Sequence, residues 1–555
     1  MGLKANINPD HTQKGDSLRK FPIILVFFLL AACSPQTESV QKDSIKIGTR
    51  RAPDSFNPYL SLTREGELVA NRLFPSLFRE LPELKDGAPA LTPDIVEDYS
   101  WNEEKTSVKL TLKQGLTWSD GTPLTAEDVN YSLDIRANPD VAWLDGGAQD
   151  GIQSWNIPSA YEVEVVFDRP SPFNLVRLNE GWIIPKHHFS QWEPNTWRDQ
   201  DWIEGLVVYG PYKIANYQDG ESLMLQAVNP GSHPDLGMAF VRDREKLYQL
   251  LIAGELDYAW GLPIDRIEDI SKNLNPTIFD DLNFTYIGWN PIHPDAFSQK
   301  KPETRQDIEA LFRESPHPVF GDSRVRKALT CAIQTGAYIK RFWSSRSHTL
   351  QTPWQAGLPY INNEGQTTNC GPEEARQWLE EAGWQLKDNL YHKGDQPLEF
   401  SVICNAGNLI RERYLLAIKE DLAEIGVRMN VEMLEAGLYV SRCRERQFDA
   451  MIGAFHSGTR PDLSSLYHSS ETTSNGYNFT SWIGADAALE QVRDAEDLET
   501  MVTGLTELQR LFLQDQPLTM LYAGQFIGAS RPTLSKITPN HLDPLFDVEN
   551  WNLSK

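Results

Sequence analysis

Residues 113–129 have the sequence KQGLTWSDGTPLTAEDV. Asp120-Gly121 is a tight-turn signal, and Thr125 followed by Asp128 fits the N-cap and first turn of a helix. Immediately before this stretch Val108, Leu110 and Leu112 alternate with polar residues, as on a half-buried strand. The stretch therefore predicts a strand, a turn and a capped helix in succession.

The same alternation of strand and helix patterns continues on both sides of this stretch. Residues 44–47 and 163–167 alternate as strands, and 427–433 do so again. Residues 372–383 predict a helix that starts at Pro372 and stops at Gly383, and Leu415, Ile418, Leu422 and Ile425 mark another helix ended by Gly426. The chain is thus predicted to be an α/β protein, and its 555 residues suggest about two to four domains.

The N-terminal region has the pattern of an export signal. Lys14, Arg19 and Lys20 precede a run of 12 residues, FPIILVFFLLAA, that is too short to span a membrane as a helix. The run ends at Cys33, and small residues before a cysteine there resemble the bacterial lipobox, which implies that Cys33 is lipidated. We expect residues 1–32 to be a lipoprotein signal peptide and 33–43 a polar tether, with the inner and outer membranes both open as the site of the anchor.

Composition and motifs argue against several classes of function. The formal net charge is -25, and it becomes -27 when residues 1–32, with four basic and two acidic side chains, are removed, so nucleic-acid binding is not expected. The sequence contains no G-x-S-x-G, H-E-x-x-H or Walker A motif, and no C-x-x-C pair, so we expect no catalytic residues, no cofactor and no metal. Four cysteines follow Cys33, and the sequence leaves their three possible pairings open.

Six motifs in order resemble one family, the family 5 extracellular solute-binding proteins, which include the peptide and nickel receptors of ABC importers. The motifs are residues 113–129, Gly210-Pro211-Tyr212-Lys213-Ile214, the segment 242–257 that contains Gly254-Glu255-Leu256-Asp257, Val325-Arg326-Lys327-Ala328-Leu329, the helix 374–383, and Phe448-Asp449-Ala450 with Pro461-Asp462. The resemblance runs from about residue 45 to the C-terminus.

The resemblance implies a two-lobed periplasmic-binding-protein-like fold of type II, or cluster C, with an extra subdomain in the first lobe. On this prediction the first lobe covers residues 44–285, including a subdomain at about 73–199, and the second covers 286–515. Residues 516–555 return to the first lobe. The two crossings between the lobes would lie at 286–290 and 517–522.

The resemblance also predicts ligand-binding residues in both lobes. In the first lobe they are Thr63 and, after the Gly-Glu-Leu-Asp segment, Trp260 and Gly261. In the second lobe they are Phe455, His456, Ser457, Gly458, Thr459 and Asn478. An aromatic wall with a few placed polar groups is what a buried solute requires.

One departure from the family concerns the solute. Peptide-binding relatives place an aspartate just after the late strand, where it pairs with the amino terminus of a peptide, whereas this chain has His456-Ser457-Gly458-Thr459 there and Asp462 only beyond it. Burying an ammonium group without a carboxylate partner costs free energy. A free peptide amine is therefore in doubt as the group that the site recognises, unless Asp462 reaches the site. Sugars, modified peptides and metal chelates stay open. The pair His187-His188 is expected to be structural, because neighbouring strand residues point to opposite sides.

These features predict a monomeric, lipid-anchored receptor in the periplasmic space. It would capture a peptide or other small solute between two closing lobes and deliver it to the permease subunits of an ABC transporter. Two alternatives remain, an exported sensor or chaperone on the same fold, and a secreted hydrolase whose two catalytic carboxylates have no sequence signature.

Overall fold

The computed structural model describes residues 44–85, 88–141, 143, 151–343, 347, 349–354, 370–456, 459, 461–473 and 476–554. The predicted signal peptide, the tether and Cys33 lie outside this range. Among the described residues, no helix combines the length and apolar character needed to cross a membrane.

The described chain alternates strands and helices, as the sequence predicted. The strands are β1 (Ser44–Thr49), β2 (Phe78–Lys85), β3 (Ala88–Pro93), β4 (Val96–Trp101), β5 (Ser107–Leu112), β6 (Ile152–Ser159), β7 (Glu162–Phe167), β8 (Tyr212–Gln218), β9 (Ser222–Ala227), β10 (Asp235–Phe240), β11 (Tyr258–Trp260), β12 (Asn275–Trp289), β13 (Gln385–Lys387), β14 (Leu390–Lys393), β15 (Gln396–Pro397), β16 (Glu399–Asn405), β17 (Arg428–Leu434), β18 (Ala450–His456), β19 (Leu518–Ser530), β20 (Leu534–Ser535) and β21 (Asn552–Leu553).

The α-helices connect these strands or follow them. They are α1 (Arg64–Leu73), α2 (Ala126–Arg136), α3 (Asn174–Asn179), α4 (Lys186–Phe189), α5 (Arg244–Ala253), α6 (Ile267–Asn273), α7 (Pro294–Lys300), α8 (Arg305–Glu314), α9 (Ser323–Ala332), α10 (Thr335–Trp343), α11 (Pro372–Glu381), α12 (Leu409–Glu424), α13 (Ala436–Arg444), α14 (Ser464–Tyr467), α15 (Asp486–Arg493) and α16 (Leu498–Asp515). The helices predicted at 372–383 and around 415–425 are confirmed as α11 and α12, and the strand predicted at 427–433 is confirmed as β17.

The stretch 113–129 forms a turn and the start of α2, as predicted. Gly121 has a φ of +87° and its N–H donates to the carbonyl of Trp118, which closes the turn. The Asp128 carboxylate accepts hydrogen bonds from the Thr125 N–H at 2.9 Å, the Lys186 N–H at 2.9 Å and the Trp118 Nε1–H at 3.3 Å. Burial raises the pKa of Asp128 although these hydrogen bonds oppose the shift. The stretch 113–129 is thus held together by the buried carboxylate of Asp128.

Ten strands form one sheet in the order β17-β16-β18-β12-β19-β11-β1-β10-β9-β8. We call the part built around β11, β1, β10, β9 and β8 the first lobe, and the part built around β17, β16 and β18 the second lobe. The long strands β12 and β19 join them, pairing antiparallel from Asn275 opposite Ser530 to Gly288 opposite Leu518. The fold is therefore the predicted two-lobed α/β type.

Large apolar clusters support the two lobes, and they are not confined to single lobes. The first-lobe core includes the inward side chains of β1 and β10 together with those of β5 and β7, so the four-stranded sheet β4-β5-β7-β6 packs into the same core. The C-terminal segment joins it through Trp551, whose ring lies 5.1 Å from that of Tyr258. A second cluster surrounds α9, α11 and α12 of the second lobe and also includes Leu247 and Leu251 of α5 in the first lobe. A third cluster lies around α15 and α16.

Two local expectations are refined by the structure. His187 and His188 lie in the short helix α4 rather than in a strand; His187 Nε2 is 2.8 Å from the Asp120 carboxylate, and His188 packs on Trp192. The sequence left three pairing schemes of the four cysteines open. The structure contains one disulfide, Cys331–Cys370, while Cys404 and Cys443 are buried and free.

Candidate solute-binding cleft

The carboxyl ends of the parallel strands in the two lobes face each other. In the first lobe β1 is parallel to β10 and β11, and β11 runs antiparallel to β19 with Trp260 opposite Gly528. In the second lobe β16 is parallel to β17 and β18, and β18 runs antiparallel to β12 with His456 opposite Asn283. Both sets of strands therefore end toward the middle of β12 and β19. Open α/β sheets bind ligands beyond the carboxyl ends of their strands, so this is where a ligand is expected.

Between the two sets, β12 and β19 pair with each other, and no other strand of the described part of the chain joins them there. This two-stranded stretch covers about 278–282 of β12 and 523–527 of β19, and its register shifts between Asp281 and Phe284. The crossings were predicted at 286–290 and 517–522, but those residues lie at the second-lobe ends of the strands, where β12 already pairs with β18. The lobe boundaries after residues 285 and 515 stay predictions. We call the space between the facing strand ends the cleft.

Aromatic rings stack at the first-lobe side of the cleft. The rings of Phe279 and Phe526 are 4.4 Å apart and parallel within 6°, and Trp260 lies 6.4 Å from Phe526 at 26°. Trp260 is only 7% exposed, so it can present an edge, not its full face. Gly261 follows with a φ of +76°, and its N–H donates to the Ile527 carbonyl, which fixes the chain directly after the stack.

Thr63 stabilises the N-terminus of α1. Its hydroxyl caps α1 by accepting from the Gly66 N–H, and it donates to Asp54 at 2.7 Å. Asp54 also accepts from the Leu62 N–H and the Ser61 hydroxyl. Burial works against the charge of this carboxylate, but these hydrogen bonds hold its pKa below the usual value. Contact of Thr63 with a solute stays a prediction.

The ligand-binding residues predicted at and just after the end of β18 differ in what the structure shows of them. Phe455 is partly buried in β18, with its ring 6.1 Å from that of Phe284. Ser457, Gly458 and the side chain of His456 lie outside the described part of the chain. Thr459 donates from its hydroxyl to Glu80 of β2 at 2.8 Å, which joins the second lobe to the hairpin β2-β3.

Asn478 is committed to the fold in this structure. Its side chain is fully buried, its amide donates to the carbonyls of Tyr467 and Trp482, and its oxygen accepts from the Trp482 N–H. This is the role of a turn residue. Asp462 is likewise engaged locally, accepting from the N–H and hydroxyl of Ser464 at the start of α14.

A second region of contact joins the lobes away from β12 and β19. Arg169 pairs with Asp494 at 2.9 Å, and Arg177 of α3 donates to the Arg493 carbonyl at 2.7 Å. Phe173 and Val176 belong to the apolar cluster around α15 and α16. Together with the Thr459–Glu80 bond, these contacts close the structure on the side of the extra subdomain.

Sequence reasoning missed the arginines at the cleft. Arg244, at the start of α5, donates to the Gly261 carbonyl at 2.7 Å, and Arg411 of α12 donates to the Asn405 side chain at 2.6 Å. Part of the Arg244 side chain is exposed, but its guanidinium lies against the main chain, where burial and then repulsion from Arg50 and Arg51 lower its pKa to about 10. Arg50 follows closely on the strand predicted at 44–47, and residues beyond strand ends bind ligands in α/β proteins, so this arginine could have been found from the sequence.

Two lobes, two joining strands and an aromatic stack at facing strand ends are the features of a two-lobed solute-binding protein. The model of the bacterial extracellular solute-binding proteins, family 5, matches residues 90–477 of the chain. The chain belongs to that family.

Relatives and solved structures have the same fold over nearly the full length. The oligopeptide-binding protein AppA of Bacillus subtilis (strain 168) is 23% identical over 531 residues, which cover 88% of this chain and 92% of AppA. The structure of Bacillus subtilis AppA with a nonapeptide has a TM-score of 0.75 at 20% identity, covering 92% of this chain and 99% of AppA. NikZ from Campylobacter jejuni with Ni(L-His) has a TM-score of 0.75 at 19% identity, covering 93% of this chain and 100% of NikZ.

Proposed function

We propose that this chain is the lipid-anchored, substrate-binding subunit of an ABC importer and captures a peptide or peptide-like solute between its lobes. The observation that carries the proposal is the meeting of both sets of strand ends at the middle of β12 and β19, beside Trp260, Phe526 and Phe279. A solute held there is buried by closure and oriented by ring edges and main-chain groups.

Lobe movement is the mechanical part of the proposal. Among the described residues no third strand lies beside the stretch 278–282 with 523–527, so a few residues there absorb the change of backbone angles when the lobes separate. The Arg169–Asp494 pair, the Arg177 hydrogen bond and the Thr459–Glu80 bond lie away from that stretch and form only when the lobes are together. Opening by the importer breaks them and releases the solute.

The anchor and the partners follow from the N-terminal sequence and the family. Cys33 carries the lipid, residues 33–43 tether a monomeric binding protein to the membrane facing the periplasm, and the permease subunits of the importer receive the solute. A Cys33→Ser variant expressed in the native host is expected to incorporate no fatty acid and to keep residues 1–32, whereas the wild type incorporates fatty acid and loses them. Fatty-acid incorporation by the variant, or none by the wild type, would contradict the anchor.

The central experiment identifies the solute and measures closure. The purified protein is denatured, the released small molecules are identified by mass spectrometry, and the solute is added back to the stripped protein during solution scattering. We expect tight binding with a smaller radius of gyration. Tight binding without compaction would contradict the closing mechanism, and normal uptake of the solute by a deletion strain would contradict the transport role.

A further inference from the structure

A cavity of about 340 Å³ lies in the second lobe, away from the cleft. It is lined by Trp289, the last residue of β12, and by Pro517, the residue before β19. Trp289 pairs with Ala450 at the start of β18, whereas the cleft lies at the other end of that strand, at His456. Six residues of strand, roughly 20 Å, therefore separate the cavity from the cleft.

The walls of the cavity are mainly apolar. Helix α8 contributes Phe312, and the loop that precedes α15 contributes Trp482 and Ile483. Phe312 and Ile483 are only partly buried, so apolar surface is left uncovered there. The complete apolar wall consists of Trp289, Pro291, Phe312, Trp482, Ile483 and Pro517. The volume falls in the range of pockets that bind small molecules, about 300–1,000 Å³.

The polar groups in the wall are used by the protein itself. Trp289 Nε1 donates to the Thr519 hydroxyl at 3.0 Å, and Trp482 Nε1 donates to the Asp515 carboxylate at 2.9 Å. Each nitrogen of the buried Arg326 guanidinium donates to a main-chain carbonyl. Burial lowers the pKa of Arg326 to about 10, and the charge of the nearby Asp515 opposes that shift. Water in this space therefore finds few hydrogen-bond partners, which favours an apolar occupant.

One positive charge at the mouth of the cavity has no such partner. Arg313 of α8 lines the cavity with an exposed side chain, and it forms no ion pair with any residue that the structure describes. Glu309, the acid of α8 that also lines the cavity, pairs with Arg305 at 2.9 Å. Glu314, next in sequence, pairs with Lys300 at 2.7 Å. The mouth therefore attracts a negatively charged group.

We propose that this cavity is a second binding site, and that it takes a small aromatic molecule that carries a negatively charged group. The aromatic ring packs among the rings of Phe312 and Trp482, and the charged group meets Arg313 at the mouth. Aromatic rings gain from offset or edge-to-face contacts with other rings, and a guanidinium group binds an anion by charge-assisted hydrogen bonds. The site is separate from solute capture in the cleft.

The test uses three probes that share one ring system and differ in charge. They are indole, which is neutral, indole-3-acetate, which is an anion, and tryptamine, which is a cation at pH 7. Binding to the purified, solute-free protein is measured by isothermal titration. We expect saturable binding, with indole-3-acetate held about fivefold more tightly than indole, as for an exposed ion pair, and tryptamine held most weakly.

Variants place the probes in the cavity. Ile483→Trp fills the space and is expected to weaken indole and indole-3-acetate by about tenfold or more. Leu416→Trp, at an exposed position of α12, adds the same ring elsewhere and is the matched control. Arg313→Gln is expected to weaken indole-3-acetate about fivefold and to leave indole unchanged. Arg510→Gln, at an exposed arginine of α16, controls for the lost charge.

Thermal unfolding shows which variants are folded, and the wild type decides the matter where Ile483→Trp is not. Crystals of the wild type with 5-bromoindole-3-acetate locate the bromine by anomalous scattering, and bromine beside Phe312 and Trp482 supports the site. Bromine only in the cleft, or equal binding by the wild type and folded Ile483→Trp, overturns it.

Two further results also overturn the proposal. One is the absence of saturable binding by all three probes. The other is equal affinity of the wild type for indole and indole-3-acetate, because the negatively charged group then has no role. Each of these results leaves capture in the cleft unaffected, so the site and the proposed function fail separately.

Discussion

The block Lys113–Val129 and the cleft edge around Gly261 use polar groups in opposite ways. In the block the buried Asp128 carboxylate meets donors from Trp118, Thr125 and Lys186. At the cleft edge Arg244 is held by the main-chain carbonyls of Gly261 and Leu262 and forms no ion pair among the described residues. The comparison separates polar groups that hold the fold from polar groups that remain available to a solute.

The largest expected effect is a loss of stability when Asp128 of this block is replaced. Asp128→Asn places an amide N–H₂ where one carboxylate oxygen now accepts hydrogen bonds, so buried donors lose their acceptor. We expect the free energy of unfolding in urea to fall by about 2–3 kcal/mol, while the affinity for the solute stays unchanged in the folded fraction. Asp140→Asn, an exposed aspartate just after α2, is the control. A full loss of affinity in folded Asp128→Asn protein would erase the distinction between the two regions.

The next effect concerns the contact that joins the lobes at Thr459. Thr459→Val removes the hydrogen bond to Glu80, and a net loss of about 1 kcal/mol from the closed state weakens solute binding about fivefold. Unfolding of the isolated protein changes little. Thr506→Val, on an exposed position of α16, controls for the loss of a hydroxyl. Isothermal titration that gives equal affinities for the two variants would remove Thr459 from the closing contacts.

A smaller effect uses the aromatic stack as a reporter. Trp260→Phe keeps an apolar ring beside Phe526 but removes the indole at the cleft, so most of the fluorescence change on solute addition should disappear with less than a threefold loss of affinity. Trp101→Phe, on the outer sheet β4-β5-β7-β6, should leave the signal intact. An unchanged signal in Trp260→Phe would place the reporter elsewhere.

The smallest effect separates charge from shape at the α1 cap. Burial would raise the pKa of Asp54, but hydrogen bonds from Thr63, Leu62 and Ser61 outweigh it and hold the pKa below its usual value. Its stabilising contribution is complete above the unfolded pKa and is lost as the pH falls through the lower, folded value. Asp54→Asn should therefore unfold with a shallower pH dependence below about pH 4 than the wild type. Identical slopes in acid-unfolding curves would show that Asp54 adds no pH-dependent stability.

The fold was predictable because its signals are local. Asp120-Gly121, Thr125 with Asp128, and Pro372 with Gly383 each set a turn or a helix end through neighbouring residues. The cleft was harder, because Thr459 meets Glu80 across 379 residues of sequence and no local pattern marks such a contact. Asn478 shows the other limit, since the same residue type serves a buried turn as well as a binding site.

The Cys331–Cys370 bond described above has a consequence for how the protein matures. A disulfide of this kind persists in an oxidising compartment, so the second lobe reaches its final covalent form only after export. Burial raises the pKa of Cys404 to about 11 and of Cys443 to about 12, which keeps both as unreactive thiols at neutral pH. Oxidative folding therefore selects one bridge among the four cysteines that follow Cys33, and protein produced in a reducing cytosol lacks it.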